Sequence, residues 1–84
     1  MLTERENILI ECLVKDYISK GNAISSDRLL EKTGLNCSTA TIRKDLIKLE
    51  SLGLVESTHV SSGRVPTVKG YRYYIDNNLK RKPL

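Results

Sequence analysis

Three basic residues share one helix-length stretch of this chain, "STATIRKDLIKLESLG", residues 38–53. Arg43, Lys44 and Lys48 bring charge that suits a polyanion. A guanidinium donates two parallel hydrogen bonds to a guanine edge, a contact that reads base identity. An ammonium meets phosphate, which adds affinity without sequence information. At about 100° per residue, Ile42, Leu46 and Leu49 fall on one side and face a core. Ala40, Arg43 and Lys44 then point away, with Thr39 and Thr41 flanking them near the start. Ala40 is small enough to let the helix approach a groove floor. Ser38 and Thr39 stand at the helix N-terminus, where free amides and the dipole favour a phosphate. The plainer alternative is a solvated helix face, and Lys48 fits either description.

A second stretch, "THVSSGRVPT" at residues 58–67, is polar and glycine-punctuated. It fits a linker, a phosphate-cradling loop or a hairpin tip. A phosphate cradle needs several glycines and a Lys-Ser/Thr pair at a helix start. This stretch has one Gly and no such pair. A linker is excluded by the structured elements expected on both sides. A hairpin tip remains, in which Ser61, Ser62 and Gly63 turn the chain. These residues are small enough to lie against a DNA backbone. Arg64 then sits at the exit, where it contacts phosphate or enters the minor groove. His59 is a polar residue of the same tip. Lys69 and Arg72 are further candidates for the DNA backbone. Ile47 falls on the outward half of the third helix, toward this hairpin or toward a partner.

Catalysis finds little support. His59 is the sole histidine and lies in a turn. Cys12 is expected to be buried in the core and Cys37 adjoins a helix cap. No acid pair and no Ser-His-Asp set can be assembled, so an enzyme is not expected. The two cysteines have no CxxC spacing and no nearby His ligands, so neither a metal site nor a disulfide framework follows. A reducing cytoplasm is the simpler setting.

The elements that must carry these residues follow from periodicity and caps. Thr3 and Glu6 form a capping-box pattern. Ile10, Leu13, Val14, Tyr17 and Ile18 continue it as an amphipathic helix that Gly21 ends. Ala23-Ile24 is a short bridging strand. Ser25 or Ser26 caps a second helix with Leu29 and Leu30 inside, ending at Gly34. After a turn, Ser38 caps the third helix, with Cys37 stapled onto Ile42 and Gly53 at its end. Leu54-Val55 opens a strand running to about Thr58. Arg64-Val65-Pro66 returns, with Pro66 at a strand end because it lacks an amide hydrogen. Thr67 caps a last helix with Tyr71, Tyr74 and Ile75 on one side. The expected fold is mainly α with a small β-hairpin: a winged helix-turn-helix with a three-helix core, a β-wing and an extra C-terminal helix. Residues 1–78 form the domain, and residues 79–84, "LKRKPL", form a basic tail.

The chain of 84 residues has a net charge of +4, with 39% apolar residues and no Trp or Phe. Residues 64–84 hold six basic groups against Asp76 alone. That asymmetry favours nucleic acid. No apolar run approaches the ~20 residues of a membrane helix.

The combination "ATIRKDLIKLESLGL … HVSSGRVPTVKGYRYYID", with its "SGR-P-T-KGYRYY" spacing, resembles the N-terminal winged-helix domain of the HrcA family of heat-inducible bacterial transcription repressors. The resemblance runs over residues 2–79. It implies dimers on an inverted-repeat operator called CIRCE, upstream of chaperone genes, and dependence on the GroEL chaperonin. It implies no cofactor. The "STATIRKD" helix would read the major groove and the "HVSSGR" hairpin would be the wing. Two positions depart from the family pattern: "NAIS" stands where many members have a Pro-Val-Gly-Ser type of segment, and Lys44 stands where Asn is frequent. The 84 residues do not include the family's downstream regulatory and dimerising region: an excised domain and a short protein sharing the module both fit, and the module alone is expected to be monomeric or weakly dimeric. The rival reading is a winged helix serving protein–protein contact. Its weakness is the outward Arg43, Lys44 and Arg64, since interface cores are depleted of Lys.

Overall fold

The computed structural model describes residues 2–58 and 63–81, with side chains as far as residue 78. Its elements are α1 (Glu4–Lys20), α2 (Ser26–Thr33), α3 (Thr39–Ser51), β1 (Val55–Ser57), β2 (Arg64–Pro66) and α4 (Val68–Arg81). This is the expected winged helix-turn-helix order. α4 runs on to Arg81, three residues into the stretch expected to be a tail.

Local chemistry sets the helix ends. Thr3 Oγ1 accepts from the Glu6 amide at 3.1 Å, and Glu6 Oε1 accepts from the Thr3 amide at 2.8 Å. Two orphan donors are thereby satisfied at once. Gly21 ends α1 at φ 71°, a left-handed conformation open to Gly at no steric cost. At α2 it is Ser25, not Ser26, that takes the cap, accepting from the Arg28 amide at 3.2 Å.

β1 and β2 pair antiparallel in the register Val55↔Pro66, Glu56↔Val65 and Ser57↔Arg64. Ile24 adds an isolated antiparallel bridge to β2: its amide donates to the Arg64 carbonyl at 3.0 Å, and the Arg64 amide donates back at 2.9 Å. The hairpin is therefore anchored to the chain just before α2.

Beneath these elements lies one aliphatic core. Leu9, Ile10, Leu13, Val14, Ile24, Leu29, Ile42, Leu46, Leu49, Leu54 and Val55 are buried together. Two residues depart from the expected stripes. Ile18 is 63% exposed, because Tyr17 takes the inward position of that turn and packs edge-on against Tyr71 at 6.4 Å. Ile75 is 53% exposed. Tyr73 instead joins Tyr71 and Tyr74 against the core, and its hydroxyl donates to Asn7 Oδ1 at 2.7 Å. Cys12, expected in the core, is half-buried in an open groove between α1 and α2. Among the described residues, no helix is long and apolar enough to cross a membrane.

Buried carboxylates tie the helices together. Arg5 reaches Asp45 with Nε at 2.5 Å and Nη2 at 3.2 Å, joining α1 to α3. Lys48 Nζ lies 3.1 Å from Glu6 Oε2 across the same interface. Lys32 Nζ lies 2.6 Å from Asp16 Oδ1 in a geometry short of a directed hydrogen bond, and Arg28 Nε lies 3.6 Å from Oδ2. The Thr3 amide and Lys48 hold the Glu6 carboxyl below its usual range against the cost of burial. Lys32, with Arg28 beyond it, does the same for Asp16. Both folded-state values are depressed, so their stabilisation is complete above the unfolded values of about 4. It is lost as pH falls through the lower, folded ones. Urea unfolding should therefore show a midpoint that falls as pH drops below about 4. Asp16→Asn should flatten that fall. A variant with the wild-type acid slope would show that the Asp16 pairs contribute nothing.

Candidate nucleic-acid interface

α3 begins at the Ser38 cap. Ser38 Oγ accepts from the Thr41 amide at 3.2 Å and lies 3.0 Å from the Thr41 hydroxyl. Thr39 donates its hydroxyl to Asp27 Oδ1 at 3.1 Å, which ties the start of α3 to the first turn of α2. Ser38, Ala40, Arg43 and Lys44 are exposed, while Thr39 and Thr41 are half-buried. The opposite face of α3 is buried through Ile42, Asp45, Leu46 and Leu49. The expected division of α3 into a core side and an outward side is thus present in the structure.

Charge pairing distinguishes the outward residues from one another. Residues 25–63 hold five basic groups. Arg28 and Lys32 bind Asp16, and Lys48 binds Glu6. Arg43 and Lys44 have no hydrogen-bond or ion-pair partner among the described residues. They are adjacent, exposed and one turn into α3. Ile47, one further turn along, is 57% exposed. Lys48 keeps its exposure, but its ammonium is shared with a buried carboxylate, so it is a weaker candidate than its spacing suggests.

At the hairpin several expectations change. His59, Ser61 and Ser62 lie outside the described residues. Gly63 does not lie open toward a DNA backbone. It is buried, and a Cβ there would come within 2.9 Å of the Ala23 Cβ and 3.2 Å of the Ile24 carbonyl carbon. Its missing side chain serves the packing of β2 against residues 23–24. Arg64 is not a free cation at the hairpin exit. Its side chain is 15% exposed, and Nε donates to Glu50 Oε1 at 3.0 Å. Lys69 is drawn to the far end of α3, where Nζ donates to the Leu52 carbonyl at 2.8 Å. A cation there satisfies an orphan carbonyl and the negative end of the helix dipole. The 13 residues of α3 put that end about 20 Å from Ser38. Arg72 is exposed on α4.

Glu50 is the residue that the spacing of basic groups misses. A signal exists: a carboxylate in the last turn of a helix opposes the dipole and calls for a cation. Cys12 is no hidden nucleophile, since burial pushes its thiol upward, away from the thiolate such chemistry needs.

A family model described as a DeoR-like helix-turn-helix domain matches residues 5–64. The chain is 46% identical over all 84 residues to the heat-inducible transcription repressor HrcA of Pediococcus pentosaceus, covering 24% of that protein. It is 45% identical over 80 residues to the repressor of the same name from Ligilactobacillus salivarius, covering 95% of this chain and 23% of that protein. It thus spans about a quarter of the length of these curated relatives. The crystal structure of a hypothetical protein at 2.2 Å resolution superposes with a TM-score of 0.92 at 41% identity, covering 98% of this chain and 25% of the other. With its capped α3, its two-helix unit and its hairpin, the chain belongs to the DeoR-like helix-turn-helix domain family.

Proposed function

We propose that this chain is the sequence-specific duplex-DNA-binding module of a heat-inducible transcription repressor. One observation carries the reading: Arg43 and Lys44 stay exposed and unpartnered among the described residues, while Arg28, Lys32 and Lys48 are bound to carboxylates. α3 enters the major groove by its Ser38 end. Arg43 reads a guanine through O6 and N7, and Ala40 and Ile47 meet base edges or thymine methyls. Ser38, Thr39, Thr41 and Lys44 hold the phosphates. The hairpin strands, residues 55–57 and 64–66, lie toward the adjoining backbone or the minor groove. Arg72 is a further backbone candidate.

The proposed operator is a CIRCE-type inverted repeat. Two copies grip its half-sites about one helical turn, or a multiple of it, apart. Dimerisation and chaperonin dependence belong to the longer protein. Alone, the module lacks a linked second grip and binds more weakly.

A salt series tests the reading. Binding to a CIRCE-type duplex and to a scrambled duplex should weaken linearly in log K against log salt, with a slope of roughly −0.9 per phosphate neutralised. The CIRCE-type duplex should stay the tighter of the two. No binding to either at low salt would sink the proposal. That result would favour the second reading, a protein-contact module, for which the exposed Ile47 is the one supporting observation.

A further inference from the structure

The groups that hold the hairpin against α3 form a second constellation. Glu50 lies in the last turn of α3, where its charge opposes the helix dipole. Arg64 Nε donates to Glu50 Oε1 at 3.0 Å. Ser57 Oγ lies 3.2 Å from Oε1 and 3.1 Å from Oε2 of the same carboxylate. Ser57 and Arg64 are directly opposed across the hairpin, so their side chains leave it on one face. The Arg64 backbone meanwhile exchanges both hydrogen bonds with Ile24, which immediately precedes the Ser25 cap of α2. One residue therefore holds both ends of the helix-turn-helix unit, by its backbone at the start and by its side chain at the end. Gly63 allows this, since any Cβ there would press on Ala23.

We propose that Glu50, through Arg64 and Ser57, is a positioning residue for DNA recognition: it sets the elevation of the wing over the face that carries Arg43 and Lys44. The proposal rests on the DNA-binding reading above. It assigns Arg64 to holding the wing, where a surface cation would only add charge. The two roles differ in sign. If Glu50 merely competed with phosphate for Arg64, neutralising it would strengthen binding to every duplex. If Glu50 positions the wing, neutralising it misaligns the wing. Preference for the operator then falls while affinity for random duplex does not.

The test compares the wild-type chain with Glu50→Gln, Arg64→Lys and the double variant on operator and random duplexes. Arg64→Lys keeps the charge and loses the directed Nε donor. Each single variant should lower the operator preference about tenfold, and the double variant no further, because both break one strut. An unchanged preference in Glu50→Gln, or losses that multiply in the double variant, would overturn the proposal. Amide exchange in the DNA-free protein reads the strut separately. Residues 55–57 and 64–65 should exchange about tenfold faster in both single variants. Unaltered rates would remove the strut itself. A wild type without operator preference overturns the functional reading and the DNA role of Glu50 with it, and the exchange rates then still report whether the strut exists.

Discussion

Arg43→Ala should bind operator and scrambled duplex almost equally, a loss of about 1–3 kcal/mol in discrimination. The side chain is exposed and makes no hydrogen bond or ion pair among the described residues, so its removal breaks nothing inside the fold. Alanine is also a strong helix former, and thermal stability should stay at the wild-type value. A loss of discrimination without a loss of stability can then be assigned to the interface. Arg43→Lys separates charge from geometry. It keeps the positive charge and loses the bidentate fork, so non-specific affinity should persist while discrimination falls. Lys44→Ala should act otherwise, weakening both duplexes alike and reducing the salt slope by about 1. If Arg43→Ala still discriminates as the wild type does, the reading residue lies elsewhere on α3 or in the hairpin.

Gly70→Ala should destabilise the domain by about 1–3 kcal/mol through overpacking. Gly70 lies in the first turn of α4, and a Cβ there would sit 2.1 Å from the Leu54 carbonyl oxygen. That oxygen also accepts from the Thr67 amide at 3.1 Å. A shift of α4 that relieved the clash would strain this bond, worth about 0.5–1.5 kcal/mol. The sign of the result is informative, because Gly to Ala in an unobstructed helix interior stabilises by about 1 kcal/mol. Gly34→Ala is the useful contrast. Nothing lies within 4 Å of its Cβ, but its φ of 66° is strained for any L side chain. Urea unfolding of the two variants separates backbone strain from collision. A Gly70→Ala variant as stable as the wild type would show that α4 can lift from Leu54 at no cost.

Much of this architecture was legible in the sequence because it rests on local rules. The Thr3–Glu6 box, the Ser38 cap and the glycine stops at 21 and 34 are decided by residues within a few positions of each other. So is the outward placement of Arg43 and Lys44, which follows from the period of Ile42, Leu46 and Leu49. Ile75 shows where periodicity weakens. Three tyrosines in α4 have hydroxyls to satisfy, and the bond from Tyr73 to Asn7, 66 positions away, helps decide which side of the helix turns inward.

The hairpin residues show the same limit more sharply. In sequence, Arg64 and Lys69 are two positive charges after a turn. In the structure one is held by Glu50 and the other caps the carbonyl of Leu52. Gly63 reads as a turn residue and proves to be a packing residue. A sequence states charge and size, and through short-range caps and periods it determined the order of elements and the outward face of α3. Whether a charge is free depends on which carboxylate or carbonyl folding brings within about 3 Å, often from far along the chain. Only the tertiary structure decided that, and so it alone separated Arg43 and Lys44 from the paired cations Arg28, Lys32 and Lys48 and brought Glu50 against the wing.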